Sequence, residues 1–265
     1  MLTLVGIAFF VAFVALGVWQ VQRLSWKLNL IDRVSQRLAA TPAPLPPKAQ
    51  WPNVDAAGYE YQTVRVQGVW LPHKTVLTQA STELGPGYWV VTPLQLADGD
   101  QVLVNRGFVP QDQRAQWLSQ PPAVAPNGTD VSTDKGSATV EGLLRLSEPG
   151  GGFLRHNNPS EQRWYSRDVA AIAQAQQLPN AAPFFVDAGI PSPRSAAFAD
   201  QPQITQGAWP RPGLTIVRFT NTHLVYALTW FGLALMVLGA AWLVARYEVR
   251  LRVASRAPIA HEPHP

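Results

Sequence analysis

One histidine stands where an imidazole could do chemistry at a membrane edge. His223 is the only residue between Arg218 and Arg246 able to carry charge near neutral pH, and the stretch Leu224–Ala245 that follows is apolar. If a helix starts near Asn221, Tyr226 and Trp230 follow His223 at the three- and seven-residue steps, on one face. Such an imidazole suits two roles. It can be an axial ligand to a haem iron, with Tyr226 and Trp230 against the macrocycle and Arg218, Arg23 and Lys27 pairing with propionates. It can also be an interfacial histidine beside an aromatic belt, hydrogen-bonded to headgroups, because a charge at the membrane edge costs far less than one at its centre. Spacing leaves both open.

The elements that must hold this histidine are apolar ends. Met1–Gln22 contains no ionisable side chain, and Leu224–Ala245 is likewise uncharged. Each reaches the roughly 20 residues needed to cross a hydrocarbon core. Trp19 and Trp26 flank the end of the first stretch, and Trp242 and Tyr247 the end of the second, at headgroup depth. The first stretch has no basic leader and too long an apolar run for a cleaved signal. Two spans place both termini on one side of a bilayer. Arg246, Arg250, Arg252 and Arg256 favour a cytoplasmic tail, whereas Arg23, Lys27, Arg33 and Arg37 pull the other way. Composition therefore leaves orientation open.

Between the spans lies a domain. Leu24, Leu28, Ile31, Val34 and Leu38 recur at helical steps, so residues 23–40 continue the first helix. The run TPAPLPP over 41–47 reads as a stiff extended linker. Period-two runs then predict strands around 64–70, 75–79, 88–94, 102–108, 138–146, 184–186 and 214–219. Asp98-Gly99-Asp100 forms a turn, and Ser166 and Asp168 can cap a helix running to about Leu178 with Val169, Ile172 and Ala173 inward. Residues 119–136 and 189–213 read as long loops. The expected fold is that of an α+β membrane protein: two transmembrane helices flanking a mainly antiparallel β sheet or barrel. Its parts are a span over 1–22, a helical continuation and linker over 23–47, a β-rich domain over 48–220, a span over 221–245 and a basic tail over 246–265.

Composition excludes several functions. The chain has 265 residues, 14% charged and 47% hydrophobic, with 10 Trp and no Cys. Disulfides, thiolate metal sites and a cysteine nucleophile are absent as a class. The net +4 divides evenly, with 17 Lys/Arg and 15 Asp/Glu over 23–222 and 4 Arg against 2 Glu beyond. No basic stripe offers a footprint for nucleic acid. No HExxH, GxSxG, Walker loop or strand-borne GxGxxG is present. Asp98/Asp100 and Asp130/Asp134 read as solvated turn residues, and His73 and His156 as surface residues. No enzyme is expected.

Several short runs then resemble a known family. These are Gly17-Val-Trp19-Gln20 with Arg23 and Trp26-Lys27, Gly85-Pro86-Gly87-Tyr88-Trp89, and Asn105-Arg106-Gly107-Phe108. Asn157-Asn158-Pro159, Trp164-Tyr165-Ser-Arg167-Asp168 and Asn221-Thr-His223-Leu-Val-Tyr226 follow in order. Together they resemble the surfeit locus family of cytochrome c oxidase assembly factors, over nearly the whole chain. The resemblance implies cytoplasmic or matrix termini and an extracytoplasmic central domain. It implies help in delivering haem a to the oxidase catalytic subunit, with the histidine matching His223 as the haem ligand. The implied partners are that subunit, a haem a synthesis enzyme and the lipid bilayer. The alternative is a protein-only scaffold that stabilises an oxidase subunit intermediate. With no presequence, the expected location is a bacterial plasma membrane, the domain periplasmic and both termini cytoplasmic.

Overall fold

The computed structural model describes residues 2–119, 130–133, 137–152, 155–191, 209–214 and 221–254, with the backbone alone at 2, 130–133 and 253–254. The chain divides into two compact units, Met1–Asp32 with Phe219–Pro265, and Arg33–Arg218. The first is a pair of helices, α1 (Leu2–Ala39, which continues into the second unit) and α4 (His223–Ala254). Both are long and apolar enough to cross a membrane. Large side chains such as Leu4, Phe9, Leu228, Leu235 and Met236 are exposed along them. Surface of that kind is an aggregation hazard in water and the natural exterior in lipid.

The second unit is built on a closed ring of strands. β2 (Thr63–Trp70), β4 (Gly85–Gln95), β5 (Gln101–Pro110), β8 (Ala181–Ala188) and β7 (Ser137–Leu146) each pair with the next, and β7 pairs back to β2. Only the β5–β8 contact in this ring is parallel. β3 (Val76–Thr82) pairs with β4, β6 (Asp130–Thr133) with β7, and the two-residue β1 (Ala43–Pro44) lies parallel beside β2.

Period two sorts side chains between the inside and outside of this barrel. Val64, Val66, Trp70, Val102, Val104, Val140, Leu144, Phe184 and Val186 form the interior cluster. The alternate residues Leu103 and Phe185 face outward, where Trp164, Leu178 and α3 (Val169–Ala175) cover them. α2 (Arg114–Ser119) contributes Trp117 to a third cluster with Leu77, Val90 and Val109. The start of α3 is set by Asp168, whose Oδ1 accepts the Ala171 N–H at 3.1 Å.

Two glycines permit close crossings. Gly107 has φ 130°, and a Cβ there would lie 2.3 Å from the Arg211 carbonyl; it sits where β5 gains a residue against β4. A Cβ on Gly142 would lie 2.1 Å from the Asp187 carbonyl oxygen, so only glycine lets β7 approach β8 this closely.

Asp187, at 1% exposure, ties these elements together. Its Oδ1 accepts from Asn105 Nδ2 at 2.7 Å and Arg167 Nη1 at 2.9 Å, and its Oδ2 from Arg145 Nη1 at 3.0 Å. Arg167 also grips Glu148 with Nη2 at 2.5 Å and Nε at 3.0 Å. Arg145 reaches Glu60 at 3.3 Å and lies 4.7 Å over the Tyr61 ring. Burial pulls the Arg167 guanidinium down, but Asp187 and Glu148 outweigh it and hold that group above its ordinary pKa. Burial raises the Tyr61 hydroxyl; Arg145 opposes the shift, while Glu60, Asp187 and Glu148 add to it.

The structure departs from the sequence reading in three places. The Pro-rich run is not a free linker, because Ala43 and Pro44 pair with Val64 and Arg65. The loop expected over 119–136 contains β6 at its end. Asp98-Gly99-Asp100 does turn the chain between β4 and β5, but Asp100 is buried and ion-paired with Lys48. The strand expected at 214–219 lies, apart from Leu214, outside the described residues, as do Asp134 and the Asp130 side chain.

Replacing Asp187 by Ala should remove about 3 kcal/mol of stability in denaturant titrations, since two largely buried guanidiniums lose the carboxylate they share. A loss below about 1 kcal/mol would mean the cluster is peripheral to the fold. The raised Tyr61 pKa adds stability that is complete below its unfolded value of about 10 and fades as pH rises toward the folded value. Thermal melts from pH 8 to 11 should therefore fall more steeply for the native chain than for Tyr61→Phe, and parallel curves would contradict it.

Candidate functional site

Within the helix pair, three contacts define how α1 meets α4. Phe13 and Trp230 stack with ring centroids 5.8 Å apart and planes at 26°. Gly17 faces Phe231 so closely that a Cβ would lie 2.6 Å from the ring. Gln20 Oε1 lies 2.8 Å from His223 Nδ1. From Phe13–Trp230 to Gln20–His223 the α1 number rises while the α4 number falls, so the helices run antiparallel. The seam uses Phe13, Gly17 and Gln20 from α1, spaced four and three apart, against His223, Ala227, Trp230, Phe231 and Ala234 from α4. Ala227 and Ala234 are buried there. Small residues bring backbones close enough for dispersion to hold helices together in a medium that offers no hydrophobic drive.

The Gln20–His223 pair is the polar part of this seam. Gln20 is 8% exposed, although it sits in an otherwise apolar helix. A buried amide in such a place requires a partner, and His223 supplies it. With Oε1 as acceptor, Nδ1 is the donor, so in the neutral ring it is Nε2 that keeps the lone pair. An imidazole with one nitrogen donating to a carbonyl and the other unprotonated is a metal-ligating tautomer with its orientation already set.

The expected site residues fall into distinct positions. His223 is half-buried at the first turn of α4, where the Thr222 carbonyl accepts the Tyr226 N–H at 3.2 Å. Tyr226 is 52% exposed. Trp230 is half-buried with its ring against Phe13. Arg23 is exposed three residues beyond Gln20, its guanidinium 5.9 Å over Trp19 and 5.3 Å over Trp26. Lys27 is half-buried on the same helix, two turns from Gln20. Arg218 lies outside the described residues. Among the described residues, no three His, Asp or Glu side chains group as a metal site.

Gln20 was absent from the residues singled out by charge and aromaticity. The signal was present in the sequence: an amide within the uncharged, apolar first part of α1 needs a partner as a charge does. The Asp187 cluster was missed for another reason, since its members lie far apart in the chain and meet only once the barrel closes.

Two apolar helices flanking a small barrel domain, with an imidazole and an amide paired in the helix seam, define a membrane-anchored protein of mixed α and β structure. Residues 7–235 match the SURF1 family model. The chain is 33% identical over 236 residues to Surfeit locus protein 1 of Homo sapiens, covering 83% of this chain and 69% of the human protein. It is 32% identical to Surfeit locus protein 1 of Mus musculus, covering 82% and 67%. It is 31% identical over 255 residues to a SURF1-like protein of Monosiga brevicollis, covering 92% and 87%. The chain belongs to the SURF1 family.

In protein carrying 15N-labelled histidine, the His223 ring should give the shifts of a neutral imidazole protonated on Nδ1. Gln20→Leu should erase that preference while Gln20→Glu retains it. A ring protonated on Nε2 in the native chain would rule out Gln20 as the acceptor.

Proposed function

We propose that this protein is a non-enzymatic assembly factor for haem–copper cytochrome c oxidase that holds haem a as cargo and aids its insertion into the catalytic subunit. The observation that carries the reading is the Gln20–His223 contact at 2.8 Å. It leaves Nε2 as the one ring nitrogen with a lone pair, and that nitrogen is the proposed iron ligand. The donor set fits a cargo site: a single imidazole holds iron less firmly than two ligands, which suits release. When bound, haem a would supply an iron that the His223 imidazole could hold and an apolar macrocycle that needs cover.

The chain's own residues do the rest. Gln20 orients the imidazole. Tyr226, exposed one turn from His223, offers an aromatic face to the macrocycle. Trp230 braces the seam against Phe13 and is the second ring assigned to the macrocycle. Arg23, flattened between two indoles, offers its guanidinium edge to a propionate, and Lys27 and Arg218 are the further cations assigned to that role. The immediate partners are the oxidase catalytic subunit and a haem a synthesis enzyme.

Location follows the same reading. The protein sits in a bacterial plasma membrane, with both termini cytoplasmic and the barrel domain periplasmic. In support, Arg246 lies 5.2 Å over Trp242 near the far end of α4, an arrangement suited to the cytoplasmic headgroup layer.

The test is purification from cells that make haem a, followed by absorption spectroscopy. The native protein should carry haem near one per chain; His223→Ala should lose at least about tenfold of it, and Arg23→Ala a smaller part. A colourless native protein that still co-purifies with the oxidase subunit would replace the cargo reading with a protein-only scaffold. Alkaline phosphatase fused after Pro265 should be inactive, and activity would reverse the topology.

A further inference from the structure

A groove of about 580 Å³ opens on the barrel domain. Gln79 on β3 and Tyr88 on β4 line it, together with Arg114 of α2 and Arg155 and the segment Glu161–Tyr165. Its charge is one-sided. Arg114 lies 5.6 Å over the Tyr88 ring, and Arg155 5.5 Å over the Tyr165 ring. Arg155 Nη1 donates to Gln79 Oε1 at 3.1 Å. Neither arginine has a carboxylate partner among the described residues. The one carboxylate in the lining, Glu161, is paired with Arg163 at 3.1 Å. Three guanidiniums thus face a single carboxylate that one of them already engages.

The arginines are held, not loose. A guanidinium drawn to a tyrosine ring keeps N–H groups with which to form a fork with a carboxylate. The segment bearing Arg163 and Tyr165 is pinned as well. Asn157 Oδ1 accepts the N–H groups of Tyr165 at 2.8 Å and Ser166 at 3.2 Å. Asn158 and Arg163 exchange backbone hydrogen bonds at 2.8 and 3.0 Å, and Gln162 turns the corner at φ 50°. These are the residues of the Asn157-Asn158-Pro159 and Trp164-Tyr165 runs, and here they build one wall of the groove.

The backbone adds a second recognition element. The Gln79 N–H donates to the Trp164 carbonyl at 2.7 Å, and Trp164 bridges Thr78 in the parallel sense. Trp164 therefore acts as a one-residue strand on the edge of β3 that faces away from β4. Beyond it, Ala80–Thr82 has no strand on that edge among the described residues. An exposed edge with unpaired amides is a template for an added strand.

We propose that this groove receives an extended acidic segment of a partner polypeptide, its carboxylates seated on Arg114 and Arg155 and its backbone running along the open end of β3. Charge complementarity selects the acidic side chains. The open edge at Ala80–Thr82 selects a peptide over a small anion, which would satisfy one guanidinium and leave that edge unpaired. This inference is independent of haem binding.

The full chain in detergent micelles should bind a fluorescein-labelled decapeptide of alternating Glu and Ala saturably, read by fluorescence anisotropy. Arg114→Gln and Arg155→Gln should each weaken binding about fivefold or more, and the double variant should abolish it. Arg65→Gln, which removes an exposed cation paired with Glu141 on β2 and β7, should leave it unchanged. The double Arg114→Glu, Arg155→Glu variant should instead bind a Lys-Ala decapeptide, a gain that misfolding cannot mimic. Proline at alternate peptide positions, which removes backbone donors, should weaken binding to the native chain. Absence of binding, equal affinity in the double Gln variant, or indifference to proline would overturn the proposal. So would displacement by an equal concentration of inorganic phosphate, which would mark a small-anion site, or preference for phosphatidylglycerol vesicles, which would mark a lipid contact.

Discussion

A carboxylate withdrawn from water must be surrounded by donors, and in this domain that requirement organises the fold. Asp187 takes hydrogen bonds from β5, from β7 and from the segment leading into α3. Desolvating it alone would be prohibitive, and desolvating it with one cation would be close to neutral. Two guanidiniums and an amide satisfy both oxygens. The rings of Phe185 and Tyr61 lie against those guanidiniums, at 4.8 Å for Arg167 and 4.7 Å for Arg145. The arrangement exists only when β8 lies between β5 and β7, which is also the condition for closing the barrel. Ionic satisfaction and strand order thus specify one another.

That coupling explains which features could be read from residue order. β2 and β7 show clear alternation because one face of each carries polar residues such as Arg65, Gln67, Glu141 and Arg145. β5 is buried on both faces from Gln101 to Val109, so its alternation is muted and its strand character comes from composition. The parallel β5–β8 pairing has no local signature, since its members are separated by α2, β6, β7 and α3. β1 escaped because two residues in a proline-rich run have no period. Asp100 sat in a correctly placed turn, yet its burial depends on Lys48, 52 positions away, and no local pattern shows such a partner.

The candidate site divides the same way. His223 was legible because a chargeable group beside an apolar stretch stands out. Its environment was only partly legible. Tyr226 and Trp230 share a helical face with His223 by spacing, but neighbours decide what each ring does. Trp230 is engaged by Phe13 while Tyr226 stays exposed. Gln20 carries no charge and so was invisible to a search by charge, although its position in an apolar helix was the relevant signal.

The pairing of Gln20 with His223 bears on both packing and chemistry, and the two cannot be separated. In a lipid-like medium, apolar helix faces slide with little penalty, so register must come from shape and from polar contacts. Gly17 under Phe231 supplies the shape, because only the side-chain-free position admits the ring. The amide–imidazole contact supplies the polar lock one turn further on. A shift of one residue along either helix would part both at once. The lock that sets helix register therefore also sets which imidazole nitrogen Gln20 engages, so a ligand that needs Nε2 meets a ring whose other nitrogen is already held. Preorganisation of this kind lowers the ordering penalty of binding without adding a contact to the ligand. It also means that a substitution at Gly17, which would displace the Phe231 ring, would alter the tautomer and angle of His223.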